Sequence, residues 1–352
     1  MDIKELLQIT IDSKASDLHL LAGAPPTLRI NGGLVDLSAK GILTEEMVQE
    51  FVWQMLSAEQ KEQLTINREL DFSFDLENQA RFRVNAYYQK GTLAASLRLI
   101  PYAIRTIEQL GLPKICHDLT SLRQGFVLFT GPTGCGKSTT IAAIINEINK
   151  ERQEHIVTIE DPIEFVFPRE KSLISQREVH FDTHSWEIAL RSVLREDPNI
   201  VLIGEMRDYE TISSALTIAE TGHLVFATLH TNSAAQTVDR IVDVFPEHAK
   251  SQIRMQLSLT LEAVISQRLI PSLRGERVVA TEIMTATPAV RNSIREGKTH
   301  MIDNIIQTSK ELGMHSFESN LAVLVKEGKI SLEIAQEYAL RPDDLMRQIR
   351  GK

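Results

Sequence analysis

Cysteine is scarce in this sequence, since Cys116 and Cys135 are the two cysteines among its 352 residues. Two thiols cannot build a disulfide framework or a four-cysteine zinc site within one chain, so we expect no zinc and a reducing compartment. Long apolar runs are also missing: none approaches the roughly 18 residues that cross a bilayer, and charged residues interrupt the amino terminus where a signal peptide needs an apolar core. The sequence therefore predicts a cytoplasmic protein, or one that is peripheral at a membrane.

An excess of positive charge is missing as well. Lys and Arg total 38 against 47 Asp and Glu, which gives a net charge of −9. This balance argues against a generally basic surface, and we expect no nucleic-acid partner. One stretch departs from it, because residues 78–107 contain no acidic residue and five basic ones, namely Arg81, Arg83, Lys90, Arg98 and Arg105. We expect this basic stretch to contact a bound polyphosphate.

The length of the chain and its patterns predict two domains, because single cores stop growing near 250 to 300 residues. Residues 1–100 join a helix-like start to short strand-like pieces, which indicates a small α+β domain. We place a linker at 101–113. In 114–352, short apolar runs alternate with helical segments, the spacing of βαβ units, and this predicts an α/β domain with a parallel sheet. Its last part, 271–352, is predicted to be mainly helical.

A phosphate-binding pattern begins this second domain. The strand-like segment 126–129 precedes it, and apolar residues at i, i+3, i+4 and i+7 follow it as in a helix. The pattern G-x-x-x-x-G-K-S predicts that backbone amides hold the phosphates of ATP, that the lysine reaches the outer phosphates and that the serine hydroxyl ligates Mg²⁺. This phosphate loop consists of Gly131, Pro132, Thr133, Gly134, Cys135, Gly136, Lys137 and Ser138, with Thr139 directly after it.

Polar residues follow three later strand-like runs, where the carboxyl ends of parallel strands border a ligand crevice. They are Glu160 with Asp161, then Glu205, then His230. An acidic residue after a strand is often the cap of the next helix, but three such ends in register predict convergence on the γ-phosphate.

ATP hydrolysis needs a carboxylate near the attacking water and Mg²⁺ beside the phosphates. We predict Glu164 as the base and Glu205 on the Mg²⁺ side, since Gly204 occupies the place where many phosphate-loop enzymes have aspartate. His223 and His230 are candidates for sensing the γ-phosphate, and an ordinary structural role explains each histidine equally well.

At this point the motifs resemble a known family. The phosphate loop and the segments 158–164, 203–208 and 219–231 are similar, in order, to the Walker A, Asp, Walker B and His boxes of secretion-type hexameric ATPases. In that family Walker B itself reads Gly-Glu. The resemblance implies a RecA-like parallel-sheet ATPase core, a smaller N-terminal α+β domain of PAS-like fold, and a Mg²⁺-dependent homohexamer.

The segment 289–296 resembles the AIRNLIRE signature of the ATPases that retract type IV pili in twitching motility, with Val290 and Ser293 as departures. This resemblance implies ATP-driven retraction, contact with the inner-membrane platform protein of the pilus, and other pilus ATPases as further partners. The alternatives are an accessory retraction ATPase, a related secretion-type ATPase, or a nucleic-acid motor on a RecA-like core.

The resemblance also implies that arginines of the N-terminal domain meet the nucleotide. Arg83 and Arg98 match the family's positions, and Arg81 is a further candidate. Alternation along the strand-like segment 81–88 places Arg81 and Arg83 on one face, as on an ordinary solvated strand. Arg195 and Arg207 flank the Walker B strand and are expected to act across subunits.

Overall fold

The structure, a computed structural model, describes residues 2–30, 32–76, 79–100, 104–275 and 277–350. The chain forms two compact units: Met1–Ala103 with Glu164–Pro168, and Ile104–Ile163 with Arg169–Lys352. The short segment Glu164–Pro168 thus belongs to the N-terminal unit although it lies far along the chain, which sequence order does not predict. Residues 101–103 of the predicted linker lie outside the described residues, and our domain boundaries stay a prediction.

The N-terminal unit contains a six-stranded antiparallel sheet in the order β3-β2-β1-β6-β5-β4. Its strands are β1 (Asp17–Leu21), β2 (Thr27–Ile30), β3 (Gly33–Asp36), β4 (Glu69–Leu76), β5 (Ala80–Gln89) and β6 (Thr92–Ile100). Its helices are α1 (Ile3–Asp12), α2 (Glu45–Met55) and α3 (Ala58–Asn67), with a 3-10 turn at Ser38–Lys40.

Alternation explains why one face of this sheet is buried. Along β5, Phe82 and Val84 are fully buried and join the core, whereas Arg83 between them is exposed. Successive side chains of a strand point to opposite faces, so the arginines predicted to share a face do so away from the core.

Local capping sets where the helix α3 begins. The Ser57 hydroxyl accepts a hydrogen bond from the Gln60 backbone amide, and the Gln60 side chain accepts one from the Ser57 backbone amide.

The second unit contains a seven-stranded sheet in the order β13-β12-β7-β11-β10-β8-β9. All its pairs are parallel except β12 with β13. Its strands are β7 (Gly125–Thr130), β8 (His155–Glu160), β9 (Leu173–Glu178), β10 (Ile200–Ile203), β11 (Leu224–Leu229), β12 (Leu261–Pro271) and β13 (Arg277–Thr285). Every residue of β7, β10 and β11 is buried, as expected of parallel strands covered on both faces.

Helices follow the strands as the βαβ spacing predicts. They are α4 (Ile115–Thr120), α5 (Lys137–Glu151), α6 (Trp186–Val193), α7 (Tyr209–Glu220), α8 (Ala234–Asp243), α9 (Lys250–Thr260), α10 (Pro288–Arg295), α11 (Ile302–Thr308), α12 (Phe317–Lys326), α13 (Leu332–Tyr338) and α14 (Pro342–Arg350), with 3-10 turns at Thr299–Met301 and Lys310–Leu312. Among the described residues, no helix is long and apolar enough to cross a membrane.

The part predicted to be mainly helical, 271–352, also contains β13. This strand pairs with β12, and apolar residues of both strands form a small core with the helices that follow. Polar Thr281 and Glu282 are buried in the middle of β13, so its sequence shows neither a clean apolar run nor a clean alternation. The sequence of β13 therefore does not predict a strand.

Candidate nucleotide site

The phosphate loop leaves the end of β7 and enters α5, which begins at Lys137. At Gly131 the backbone has φ 138°, and a Cβ atom would lie 2.2 Å from the main-chain oxygen of Gln267. Only glycine tolerates this conformation and this close approach. Cys135 is 3% exposed, and burial raises the pKa of its thiol. The loop is thus a tight turn packed against the neighbouring strand.

The Lys137 side chain lies back across this loop. It is 8% exposed, and its ammonium donates to the main-chain oxygens of Gly131 at 2.8 Å and Pro132 at 3.2 Å. Ser138 and Thr139 follow in the first turn of α5. A lysine and the amino end of a helix together favour a bound anion, so the geometry suits a phosphate group.

Glu205 follows β10 and lies within electrostatic reach of Lys137. Its carboxylate accepts from Arg207 at 2.7 Å and contacts Nε2 of His230 at 3.0 Å. Burial acts to raise the pKa of Glu205, but the Arg207 hydrogen bond and the charges of His230, Arg207 and Lys137 together lower it. The structure therefore brings the predicted residues Lys137, Glu205 and His230 to one edge of the sheet, with Glu205 ionised.

Close packing explains the glycine before Glu205. A Cβ atom at Gly204 would lie 3.2 Å from both the Cα of Glu160 and the main-chain oxygen of Ile159. A larger side chain there would press on the backbone of the neighbouring strand. The Thr228 hydroxyl donates to the Gly204 oxygen at 2.5 Å and fastens the turn, a contact that we did not predict from the sequence.

Glu160 lies at the end of β8 and is 7% exposed. Its carboxylate accepts from the Thr158 hydroxyl at 2.7 Å and from the Gln176 amide at 3.3 Å. Asp161, the next residue, is exposed and acts electrostatically on Arg207. The acids after β8 therefore lie at the same edge as Glu205, with Glu160 anchored to β8 and β9.

The two predicted histidines lie at opposite edges of the sheet. His230 follows the end of β11, while His223 precedes its start, where its main-chain oxygen accepts from the Gly125 amide at the start of β7. At about 3.3 Å per residue, β11 separates them by roughly 20 Å. His223 Nδ1 contacts Thr221 at 3.0 Å and the Ile218 oxygen at 3.1 Å. A role for His223 at the γ-phosphate stays a prediction.

Four predicted site residues belong to the N-terminal unit: Glu164, which is exposed, and the arginines Arg81, Arg83 and Arg98. Arg83 and Arg98 lie directly opposite each other on β5 and β6. Like charges in such a cross-strand pair repel each other. Arg98 Nε is 3.0 Å from Asp17, and Arg81 is 3.5 Å from Asp75. Roles for these four residues at the nucleotide stay a prediction.

Comparison with known proteins decides the family. Residues 2–338 match the family described as "Type II/IV secretion system protein". The chain belongs to this family. It is 48% identical over 344 residues to the type IV pilus retractation ATPase PilT of Pseudomonas aeruginosa, which covers 98% of this chain and 100% of that protein. It is 38% identical over 351 residues to the type IV pilus ATPase PilU of the same organism, covering 99% and 92%.

A solved structure described as the pilus retraction motor PilT with bound ADP has a TM-score of 0.93 and 45% identity, and the match covers 99% of each chain. These similarities confirm the predicted fold class and the resemblance to pilus-retraction ATPases. An ATPase of the secretion type, the predicted class of enzyme, is thereby confirmed as well.

Two arginines expected to act across subunits have partners within the chain. Arg207 donates to Glu205, as described above, and Arg195 donates to the Arg191 main-chain oxygen at 3.3 Å. These bonds place Arg207, but not Arg195, in direct contact with the Walker B glutamate of its own chain. Action across subunits stays a prediction for both.

The signature-like segment of this family member lies on α10. Val290 and Ile294 are fully buried, and Ser293 is 6% exposed, so the residue that departs from the signature faces inward. Arg291 donates to the main-chain oxygens of Ser258 and Ala286 and pairs with Glu262 at 2.9 Å. In this chain Arg291 therefore fastens α10 to α9 and β12.

Sequence reasoning missed the contribution of β12 to the site. This strand lies beside β7, and its Ser266 hydroxyl is 2.7 Å from the hydroxyl of Thr130. Gln267 donates to the loop at Cys135, and Arg268 reaches Asn232 after β11 at 3.3 Å. The polar run 266–268 was the available signal, but it has meaning only once β12 is known to border the loop.

Proposed function

We propose that this protein is a cytoplasmic ATPase motor that drives type IV pilus retraction in twitching motility. The observation that carries the proposal is similarity to PilT along nearly the whole chain, with 48% identity over 98% of its length. The geometry of the phosphate loop, Lys137 and Glu205 supports ATP as the ligand. Its action at the inner membrane would be peripheral, through the pilus machinery.

Within this proposal, the loop amides and Lys137 bind the phosphates of ATP. The Ser138 hydroxyl and the ionised Glu205 carboxylate are hard oxygen ligands that suit Mg²⁺, although Glu205 also contacts Arg207 and His230. Bound Mg²⁺ would neutralise charge on the phosphates. Glu164 orients and deprotonates the attacking water, and His230 holds Glu205 in place beside the outer phosphate.

The arginines of the N-terminal unit complete the site, in our proposal, from a neighbouring subunit of a homohexamer. The directly opposed pair Arg83 and Arg98 supports this role: Asp17 pairs with Arg98, and a bound polyanion would add compensating negative charge beside Arg83. ATP binding would then draw the N-terminal unit onto a neighbouring ATPase core, and hydrolysis would release it. Repeated around the ring, this cycle acts on the platform protein of the pilus.

The catalytic part is tested by steady-state ATP hydrolysis of purified variants. We expect Lys137→Ala and Glu164→Gln each to lower turnover by about a hundredfold or more, since each removes a group that acts in the transition state. The matched controls are Lys150→Ala at the exposed end of α5 and Glu170→Gln at another exposed glutamate. Turnover near wild type in either site variant contradicts that residue's assignment.

The cellular part is tested in a strain that lacks this chain and every related retraction ATPase. Fluorescently labelled pili should retract when the wild-type chain is restored alone, and should extend without retracting when Lys137→Ala is restored. Retraction that requires a second ATPase identifies an accessory motor instead, as the 38% identity to PilU allows. Normal retraction in the empty strain would falsify the proposal.

A further inference from the structure

Gln267 on β12 is buried against the phosphate loop. Its side chain is 1% exposed, and its Nε2 donates to the main-chain oxygen of Cys135 at 2.8 Å. A methyl group at Gly136 would lie 3.3 Å from the same Nε2, and one at Gly131 would lie 2.2 Å from the Gln267 main-chain oxygen. The residue therefore touches the loop near its start and near its end, once through its backbone and once through its side chain.

The preceding residue fixes β12 to the strand that carries the loop. Ser266 is paired in register with Thr130, the last residue of β7, and their hydroxyls are 2.7 Å apart. Both hydroxyls are buried in the sheet. Since this bond anchors the root of the loop, the Gln267 amide acts from a fixed point rather than from a mobile segment.

Packing alone does not explain why an amide side chain occupies position 267, because burying the amide costs stability. Nε2 is its hydrogen-bonding donor to Cys135, and within the described part of the chain its buried Oε1 has no hydrogen-bond partner. A buried acceptor without a partner destabilises the fold, whereas methionine of similar length would fill the space without one. The bond from Nε2 to the loop is what the amide adds.

We propose that Gln267 is a positioning residue of the nucleotide site. A trans peptide is planar, with its C=O and N–H pointing in opposite directions. By holding the Cys135 carbonyl, Gln267 therefore sets the direction of the Gly136 N–H, which points away from β12. Amides of the phosphate loop are the groups that bind nucleotide phosphates. Gln267 thus orients a phosphate-binding amide without touching the nucleotide, an inference that rests on the proposed ATP site.

The test measures the dissociation constant of a fluorescent ADP analogue, KM and kcat for ATP, and the thermal midpoint of the nucleotide-free full chain. We expect Gln267→Met to weaken ADP binding and raise KM about tenfold, with kcat within about threefold of wild type, since one hydrogen bond is lost that serves ground state and transition state alike. Gln267→Leu, which also cannot donate and adds no charge, should behave likewise and replaces the methionine variant if that variant does not fold. Gln256→Met, at a partly exposed glutamine on α9, is the control.

A purely structural role predicts a lower thermal midpoint with ADP affinity within twofold of wild type, and this result overturns the inference. The Lys137→Ala variant distinguishes a failure of the Gln267 role from a failure of the proposed ATP site. If Lys137→Ala loses ADP binding while both Gln267 variants keep it, the ATP site stands and only the role of Gln267 fails. If Lys137→Ala binds ADP normally, the proposed ATP site itself fails.

Discussion

The two sheets of this protein carry their polar side chains in different places. In the second unit, β7, β10 and β11 are buried throughout, and the polar groups that converge lie beyond their carboxyl ends. In the N-terminal unit, β5 buries alternate residues, and Arg81 and Arg83 lie along its other face. A sheet covered on both faces offers only its edge for chemistry, while a sheet with one open face offers that whole face.

The two sheets therefore also differ in the substitutions that they tolerate. At the edge of the buried sheet, loops turn sharply against neighbouring backbone, so the size of a side chain is limiting. On the other face of the antiparallel sheet, Arg83 is exposed, so a change of side-chain volume there meets less resistance than at the turns of the buried sheet.

The largest effect is expected where the phosphate loop touches β12. Gly131→Ala places a methyl group 2.2 Å from a backbone oxygen in a backbone conformation that alanine rarely adopts, so we expect loss of measurable ADP binding. Gly204→Ala meets backbone atoms at 3.2 Å and should cost about 1 kcal/mol of stability with binding retained. Calorimetry and ADP titration of both variants check this ranking, and equal behaviour of the two contradicts it.

A smaller effect, on the free energy of unfolding, is expected for two neighbouring residues of β5. Phe82→Ala removes a fully buried ring and should lower the free energy of unfolding by about 3–5 kcal/mol. Arg83→Ala, one residue later on the exposed face, should change it by less than about 0.5 kcal/mol. Urea unfolding of the two variants measures both values. A destabilisation by Arg83→Ala comparable to that of Phe82→Ala would show that the open face is packed.

The smallest effect concerns β13, where buried polar groups depart from the pattern of the second sheet. Burial raises the pKa of Glu282, on β13, to about 7. Burial also lowers the pKa of His315, whose Nε2 lies 2.9 Å from the Thr281 hydroxyl of β13, to about 4. Between about pH 4.5 and 6.5 the folded state binds more protons than the unfolded state at Glu282 and fewer at His315. Glu282 therefore adds stability as pH falls, while His315 removes it, and the two contributions oppose each other.

Variants separate the two contributions. In this window, Glu282→Gln should leave stability falling with acid by about 1 kcal/mol per pH unit, and His315→Gln should leave it rising by a similar amount. Urea midpoints at several pH values between 5 and 6.5 check the opposite signs. Slopes of the same sign in the two variants contradict this assignment.

Much of the site could be predicted from local sequence. The phosphate loop needs glycines, a lysine and a hydroxyl at fixed spacing, and α5 needs its apolar positions, so residues 131–148 identify both. The buried runs of β7, β8, β10 and β11 predict parallel strands, and Glu160, Glu205 and His230 lie where those strands end. Alternation along β5 places Arg81 and Arg83 on one face. Each of these features depends on residues close together in the chain.

Tertiary structure decided the rest, because contacts between distant segments depend on strand order and direction. Gln267 meets Cys135 across 132 positions of sequence, and Ser266 meets Thr130 across 136, only because β12 lies beside β7. The direction of β11 carries His223 to the far edge of the sheet from His230. No local pattern encodes which strand becomes a neighbour, so the sequence determined the chemistry of the site and the fold determined which residues support it.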